Sequence, residues 1–237
     1  MTIRVNNISL SIDEDISCIE KKVSKKLNVP VRDLGKIKIL KESIDARKKN
    51  NIRFNYAISL ECKNEKKVVS RANSNDVQID VALNTEEFKF GNKVLEHRPV
   101  VIGLGPAGLF AALTLARQGY NPIVFERGEN VDKRSETVEK FWDTGILNTE
   151  SNVQFGEGGA GTFSDGKLNT LKRDVNFRMK KVFETFVQFG ALKEILYDYR
   201  PHIGTDKLRN VIRNMREYMI KKGAIFKYET CLTNIYF

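Results

Sequence analysis

Three glycines and one glutamate are spaced as a dinucleotide site requires. In PVVIGLGPAGLFAALTLARQGYNPIVFERG, Gly103, Gly105 and Gly108 follow an apolar run directly and open a helical pattern. Gly103 allows a tight turn, Gly105 lets backbone approach a pyrophosphate, and Gly108 lets helix pack close to strand. N–H groups in a helix's first turn have no helical acceptor, so those around Pro106, Ala107 and Gly108 can face phosphate. Pro106 costs little there, because its missing N–H would be unpaired in any case. A second apolar run, PIVFE, ends at Glu126. An acid about 20 residues beyond the glycines can bond the ribose hydroxyls. The same charge repels a 2′-phosphate, which disfavours NADP at the adenosine end.

A second glycine stretch, GEGGAGTFSDGKL, runs from Gly156 to Leu168. Gly161, Gly166 and Lys167 have the G-x-x-x-x-G-K spacing of a triphosphate-binding loop. Such a loop follows an apolar strand and is closed by a hydroxyl that holds magnesium. Here TESNVQFGEG is a poor strand and Leu168 has no hydroxyl. Three alternatives stand: a damaged triphosphate site, a structural turn, or a glycine loop whose backbone holds something else. Ser164, Asp165 and Lys167 are its polar side chains. His202, in RPHIGTD, is a candidate acid or base or a turn-ordering group.

These residues need a parallel sheet to position them. VVIGLG, the helical stretch after it and PIVFE form a β-α-β unit. NFRMKKVFETFVQFG and TDKLRNVIRNMREYMIKKG read as amphipathic helices ending at Gly190 and Gly223, and AIFKYETCLTNIYF as a strand and its exit. Before Arg98 the pattern differs. TIRVNNISLSI alternates like a strand, Ile16, Ile19, Val23 and Leu27 form a helical stripe, and KIKILKESIDA and RFNYAISLEC are strands around a polar RKKNN. KNEKKVVSRANSNDVQ contains a connector. The expected architecture is α/β: a small α+β domain (β-α-β-β) over 1–93, then a Rossmann-like nucleotide-binding domain over 94–237, incomplete at its C-terminal end.

Composition narrows the function classes. At 41% hydrophobic and 30% charged, the chain has the balance of a soluble globular protein. Three scattered cysteines and two histidines argue against a structural zinc site. The start lacks the apolar stretch of a signal peptide, and Val100 to Ala116 is too short and glycine-broken for a membrane span. A cytoplasmic protein without membrane partners is expected. The net charge of +10 is spread along the chain, as expected of a lysine-rich solvated surface. The apolar end at Tyr236–Phe237 suggests a fragment of a longer protein.

VVIGLGPAGLFAALTLARQGY, the Glu126-Arg127-Gly128 ending, FGEGGAGTFSDGKLNT and PHIGTDKL together resemble bacterial FAD-dependent dehydrogenases of unassigned substrate. These lie in the flavoprotein branch of the two-domain dinucleotide-binding oxidoreductases. LKESIDARKKNNIRF resembles the N-terminal extension of that family. The resemblance implies FAD as cofactor, with Gly103, Gly105, Ala107 and Gly108 at its pyrophosphate and Glu126 at its ribose. Arg127 and Leu232 would lie near the adenine, and Arg134 would reach the phosphates. Gly158, Gly159, Ala160, Gly161 and Thr162 would lie along the cofactor toward the flavin, with Lys167 a candidate for stabilising reduced flavin. A small-molecule substrate and an electron donor or acceptor such as NAD(P)H are implied. No catalytic residue is assigned. The family's late Gly-Asp motif for the ribityl chain is missing, so this chain alone is expected to bind FAD poorly or not at all. Two alternatives remain: a flavin-dependent tRNA-modification protein with Lys21, Lys22, Lys25, Lys26 and Arg47–Lys49 on RNA, and a truncated non-catalytic module. Nucleic acid is the disfavoured partner.

Overall fold

The computed structural model describes residues 2–80, 94–164, 166–168, 174 and 177–236. They form two compact units. The first holds the described residues within Met1–Glu87, Asp174–Lys180 and Lys193–Pro201, and the second those within Phe88–Arg173, Lys181–Leu192 and His202–Phe237. The boundary expected at Lys93 lies outside the described residues. No helix among the described residues is long and apolar enough to cross a membrane.

The first unit is an antiparallel sheet of β1 (Thr2–Ser11), β2 (Leu34–Asp45), β3 (Arg53–Cys62) and β4 (Val77–Asp80), in the order β2-β3-β1-β4. Helices α1 (Cys18–Leu27) and α2 (Glu65–Ala72) complete it. Ile19, Val23 and Leu27 of α1 and Val68 of α2 join Ile3, Val5, Ile8, Leu10, Ile58 and Leu60 in one core. Ile16, expected on the stripe, precedes the helix and is exposed. In β1 the buried positions switch from odd (Ile3, Val5) to even (Ile8, Leu10). A bulge makes the switch, since Val5 pairs with Ile58 but Ile8 with Tyr56. Asn7 takes the left-handed φ of 55° that the extra residue needs.

Part of KNEKKVVSRANSNDVQ, expected as a connector, is instead α2 and β4, so the order is β-α-β-β-α-β. Val68 supplies a buried contact, and Asn64 and Asn73, both left-handed, bound the helix. Its many charges conceal a short amphipathic turn pair.

The second unit is a parallel sheet of β5 (Val100–Ile102), β6 (Ile123–Phe125) and β7 (Ile225–Lys227), in that order. It carries α3 (Pro106–Arg117), α4 (Val131–Thr144) and α6 (Thr205–Lys221). α5 (Arg178–Gln188) belongs to it from Lys181 onward. Leu109, Ala112, Leu113 and Ala116 of α3 are buried, as are Val211, Ile212, Met215 and Met219 of α6. Helix α4 was not anticipated, although its signals are present. The Asn130 side chain accepts from the N–H groups of Asp132 and Lys133, and Gly145 ends the helix at φ 73°. The chain is therefore mixed α/β, with one antiparallel and one parallel sheet.

Candidate functional site

The turn from β5 into α3 is the geometric centre of the second unit. Gly103 sits at φ +85° and donates its N–H to the Phe125 carbonyl at 2.7 Å. A Cβ on Gly108 would lie 1.9 Å from the Gly103 carbonyl oxygen and 3.5 Å from a Val101 methyl. Only hydrogen fits there, and its absence of bulk lets α3 press onto β5. A Cβ on Gly105 would meet nothing within 4 Å, so this backbone borders open space. The first helical bond of α3 runs from Leu109 N–H to Gly105 O, at 2.9 Å, which leaves the N–H groups of Ala107 and Gly108 ahead of it in the helix ladder. Pro106 and Ala107 are exposed.

Glu126 is buried at the end of β6. Its Oε2 accepts from Leu104 N–H at 2.6 Å and its Oε1 from Gly128 N–H at 2.9 Å. Each oxygen keeps lone-pair capacity for a further donor. The carboxylate thus locks the glycine turn and faces the same space.

The second glycine stretch packs beside this turn. Gly158 N–H donates to the Leu104 carbonyl at 2.8 Å, and a Cβ on Gly159 would lie 2.9 Å from Pro106 and 3.6 Å from the Gly105 Cα. Ala160–Phe163 form a single 3-10 turn in which Ala160 and Gly161 are exposed and Thr162 is buried.

Arg134, expected to reach phosphates, lies instead beneath this loop with no exposed surface. Its Nε donates to Asn152 O, its Nη2 to Val153 O, and its Nη1 to Glu157 O at 2.7 Å, Gly159 O at 3.0 Å and Thr162 Oγ1 at 2.9 Å. Every guanidinium nitrogen is spent on the loop, and α4 delivers it from below. Burial lowers its pKa to about 10, against the pull of Glu126 and Glu157. A Cβ on Gly156 would strike its Cδ at 2.5 Å, so the glycine makes room for this arginine.

Loop and helices are further joined by a buried carboxylate. Glu157 has no exposed surface and accepts from Val131 N–H, Arg216 Nη1 and Tyr228 O–H at 2.6, 2.5 and 2.9 Å. Burial pushes its pKa up, opposed by Arg216, the Val131 N–H and Tyr228. Arg216 also pairs with Asp132 at 2.8 Å, and Arg213 pairs with the same carboxylate. Sequence reasoning missed this network. Its only sequence signal is charge on the inner half of α6.

Gly103, Gly105, Glu126, Arg127, Gly159 and Leu232 line one cleft of about 300 Å³ at the carboxyl ends of the parallel strands. Gln154, Phe155, Thr230 and Cys231, not anticipated, line it too. Arg127 stacks on the Phe155 ring, 4.4 Å from its centroid, and pairs with Glu150 at 2.8 Å. Pro106, Ala107, Gly108, Gly158, Ala160, Gly161 and Thr162 stand behind or beside this lining. Lys167 is not among the lining residues and forms an isolated bridge with His202. Asp165 lies outside the described residues. Gly166 packs on Gly204, where a Cβ would lie 2.7 Å from the backbone nitrogen, so this glycine serves a chain crossing.

A larger open depression, about 1060 Å³, lies at one end of the first unit's sheet among Arg32–Gly35, Glu61–Lys63 and Asp80. It mixes both charge signs, and Glu65 at the start of α2 lines it as well. Of the basic residues considered for RNA, Lys22 is paired with Glu14, Lys26 with Asp76 and Arg47 with Asp45, at 2.6, 2.8 and 2.6 Å.

Residues 2–61 match the model of a domain of unknown function, DUF8436. Over 235 residues, 99% of this chain, the sequence is 50% identical to an uncharacterized protein of Clostridium beijerinckii. The match covers 44% of that relative, so the chain spans less than half of its length. Neither description names a ligand.

Proposed function

We propose that this chain is the FAD-binding part of a cytoplasmic oxidoreductase of the dehydrogenase type, its second unit a Rossmann-like FAD domain. It would act on a small-molecule substrate with an electron donor or acceptor such as NAD(P)H. One observation carries the reading: Gly108 is pressed to the Gly103 carbonyl while Gly105 faces open space beside Glu126, at the carboxyl ends of parallel strands.

The residues fit the cofactor. The bare backbone at Gly105 is a cradle that a larger side chain would fill. The Ala107 and Gly108 N–H groups offer donors and a positive helix end to a pyrophosphate. Glu126 would accept from the ribose hydroxyls, with Arg127, Phe155 and Leu232 flanking the base. Bound flavin would take up two electrons as a hydride from the substrate. Arg134 and Glu157 hold the loop wall in place, so little ordering remains to be done when the cofactor enters. The three cysteines are free thiols, as a reducing compartment would keep them.

The test is a visible spectrum of the purified protein with added FAD, beside a Gly105→Glu variant. Flavin bands are expected to survive desalting in a chain as long as the relative and to vanish in its Gly105→Glu variant, with poor retention by the 237-residue chain alone. If neither this chain nor a chain as long as its relative retains flavin, the reading fails and a non-catalytic module takes its place.

A further inference from the structure

Helix α6 carries a stripe of three arginines. Arg209, Arg213 and Arg216 are spaced i, i+4 and i+7, which sets them on one side of the helix. Two of them are matched by buried or half-buried acids. Arg213 pairs with Asp132, and Arg216 with Asp132 and Glu157. Arg209 has no such match. Among the described residues only Asp206 comes within ion-pair range of it, at 3.9 Å, and Asp206 is 91% exposed. A pair of that kind contributes little. The Arg209 Nε is buried and makes no hydrogen bond, and no other buried side-chain nitrogen or oxygen of the described residues is left so. A buried N–H without an acceptor costs about 1–3 kcal/mol.

An aromatic ring holds Arg209 instead. Its guanidinium lies 4.6 Å from the Phe163 centroid, and the Arg134 guanidinium lies 4.7 Å from the same centroid. Arg134 is engaged with loop carbonyls, so two cations share one ring, and neither is hydrogen-bonded to a carboxylate among the described residues. A guanidinium stacked on a ring keeps its in-plane N–H edges for other partners. The edge of Nε and one Nη fits two oxygens of a carboxylate or phosphate at once.

The glycine loop sets where this happens. Phe163 ends the 3-10 turn that begins at Ala160, and Gly159, which caps that turn, lines the cleft. At about 2 Å per residue, the turn carries the chain roughly 8 Å on from the cleft wall. Ala160 and Gly161 are exposed between the two, and a Cβ on Gly161 would lie 4.0 Å from Leu208, the residue before Arg209. The loop thus leads from the Gly105 side of the cleft, where the proposed pyrophosphate would lie, toward Arg209.

We propose that Arg209 is the anion-binding residue for the substrate, a small molecule carrying a carboxylate or phosphate group. The anion site stands on α6 and the turn alone, whereas assigning its anion to the substrate rests on the FAD reading. The oxyanion takes the Nε edge in a fork and supplies the acid that the stripe lacks. The Arg209 side chain keeps 20% of its surface exposed, and turning against the Phe163 ring brings the Nε edge out to the ligand.

The single tryptophan, Trp142, meets Phe163 edge-on with centroids 6.4 Å apart, so its fluorescence reports this place. The 237-residue chain is titrated with acetate and, separately, with inorganic phosphate at constant ionic strength, with chloride as the control. A saturable change with at least one oxyanion and none with chloride is expected. Arg209→Gln, which removes the charge but keeps a flat polar head, should weaken that binding by about tenfold or more. Arg209→Lys keeps the charge without the fork and should fall between the two. It also decides the matter if circular dichroism shows the glutamine variant unfolded. In a chain as long as the relative, Arg209→Gln should retain FAD through desalting, unlike Gly105→Glu. The bound oxyanion should shift the flavin bands there, and fail to do so in Arg209→Gln. No saturable change with either oxyanion, or equal affinity in the Arg209 variants, overturns the anion site. FAD lost from Arg209→Gln makes the oxyanion the cofactor's own and overturns the substrate assignment, as do flavin bands that the oxyanion leaves unmoved. FAD retained by no form, with Arg209-dependent oxyanion binding intact, overturns the cofactor reading and leaves the anion site standing.

Discussion

The two sheets of this protein solve opposite problems. The antiparallel sheet of the first unit is closed on one side by its own helices α1 and α2, and in its inner strand β3 the residues Tyr56 to Leu60 are buried on both faces. The parallel sheet of the second unit is apolar at every strand position but Lys227, and runs into a glycine turn whose backbone is left open at Gly105. In the first, apolar side chains saturate one another. In the second, Gly108 lets α3 press onto β5, and only Gly105 is left without a neighbour within 4 Å of its Cβ position. Packing that is complete tells of stability, and the open turn at Gly105 is where the proposed cofactor would enter.

The largest expected effect breaks the second unit alone. Gly108→Ala forces a methyl group to 1.9 Å from a carbonyl oxygen, and the cost should reach or exceed about 3 kcal/mol. Hydrogen exchange should show β5, α3 and β6 losing protection while the β1 and β3 amides keep theirs. Equal loss in both would mean that the units do not differ as described.

Next comes a contrast between two basic side chains that hold backbone. Arg134→Met strands several buried loop carbonyls and should cost about 3 kcal/mol or more, since each unsatisfied group costs about 1–3 kcal/mol. Lys26→Met, in the first unit, removes bonds to the Asn6 carbonyl and Asp76 from a part-exposed side chain and should cost about 1 kcal/mol. Urea midpoints of the two variants check the order.

The pH dependence sharpens the picture. Hydrogen bonds from Arg213 and Arg216, opposed by burial, hold Asp132 below the usual carboxylate range. Its contribution is complete above pH about 4 and lost as the pH falls through its lowered folded value. Glu157 is pushed up by burial. Its contribution is greatest below its unfolded value of about 4.3 and shrinks as the pH rises through the raised folded value. Thermal midpoints should therefore lose their acid-side fall in Asp132→Asn and their decline above about pH 4.3 in Glu157→Gln. The smallest effect belongs to the surface. Glu150→Gln breaks an exposed pair with Arg127 and should shift stability by less than about 1 kcal/mol.

Much of this was legible in the sequence because it is local. Gly103, Gly105, Gly108 and Glu126 fall within one β-α-β unit, and β3 runs from Arg53 to Cys62 as its alternation indicates. What escaped depends on distance. Arg134 looks like a phosphate ligand in one dimension, and only the fold brings Asn152, Glu157 and Gly159 around it. Glu157, Arg216 and Tyr228 lie as far as 71 positions apart and meet in one buried cluster. Phe155 and Cys231 reach the cleft because two unrelated loops converge there. Helix α2 hid behind its charge, with Val68 its one fully buried side chain.

The bulge at Asn7 has a consequence for how this gene can change. Strand β1 is read in two frames: odd residues face the core before it and even residues after. Deleting the single codon for Asn7 would set Ile3, Val5, Ile8 and Leu10 at alternate positions of one regular strand, all facing the core. Losing two codons there would leave the two frames out of step and still demand an extra residue. Among descendants of this sequence, length variation at that point should come as a single residue that removes the bulge.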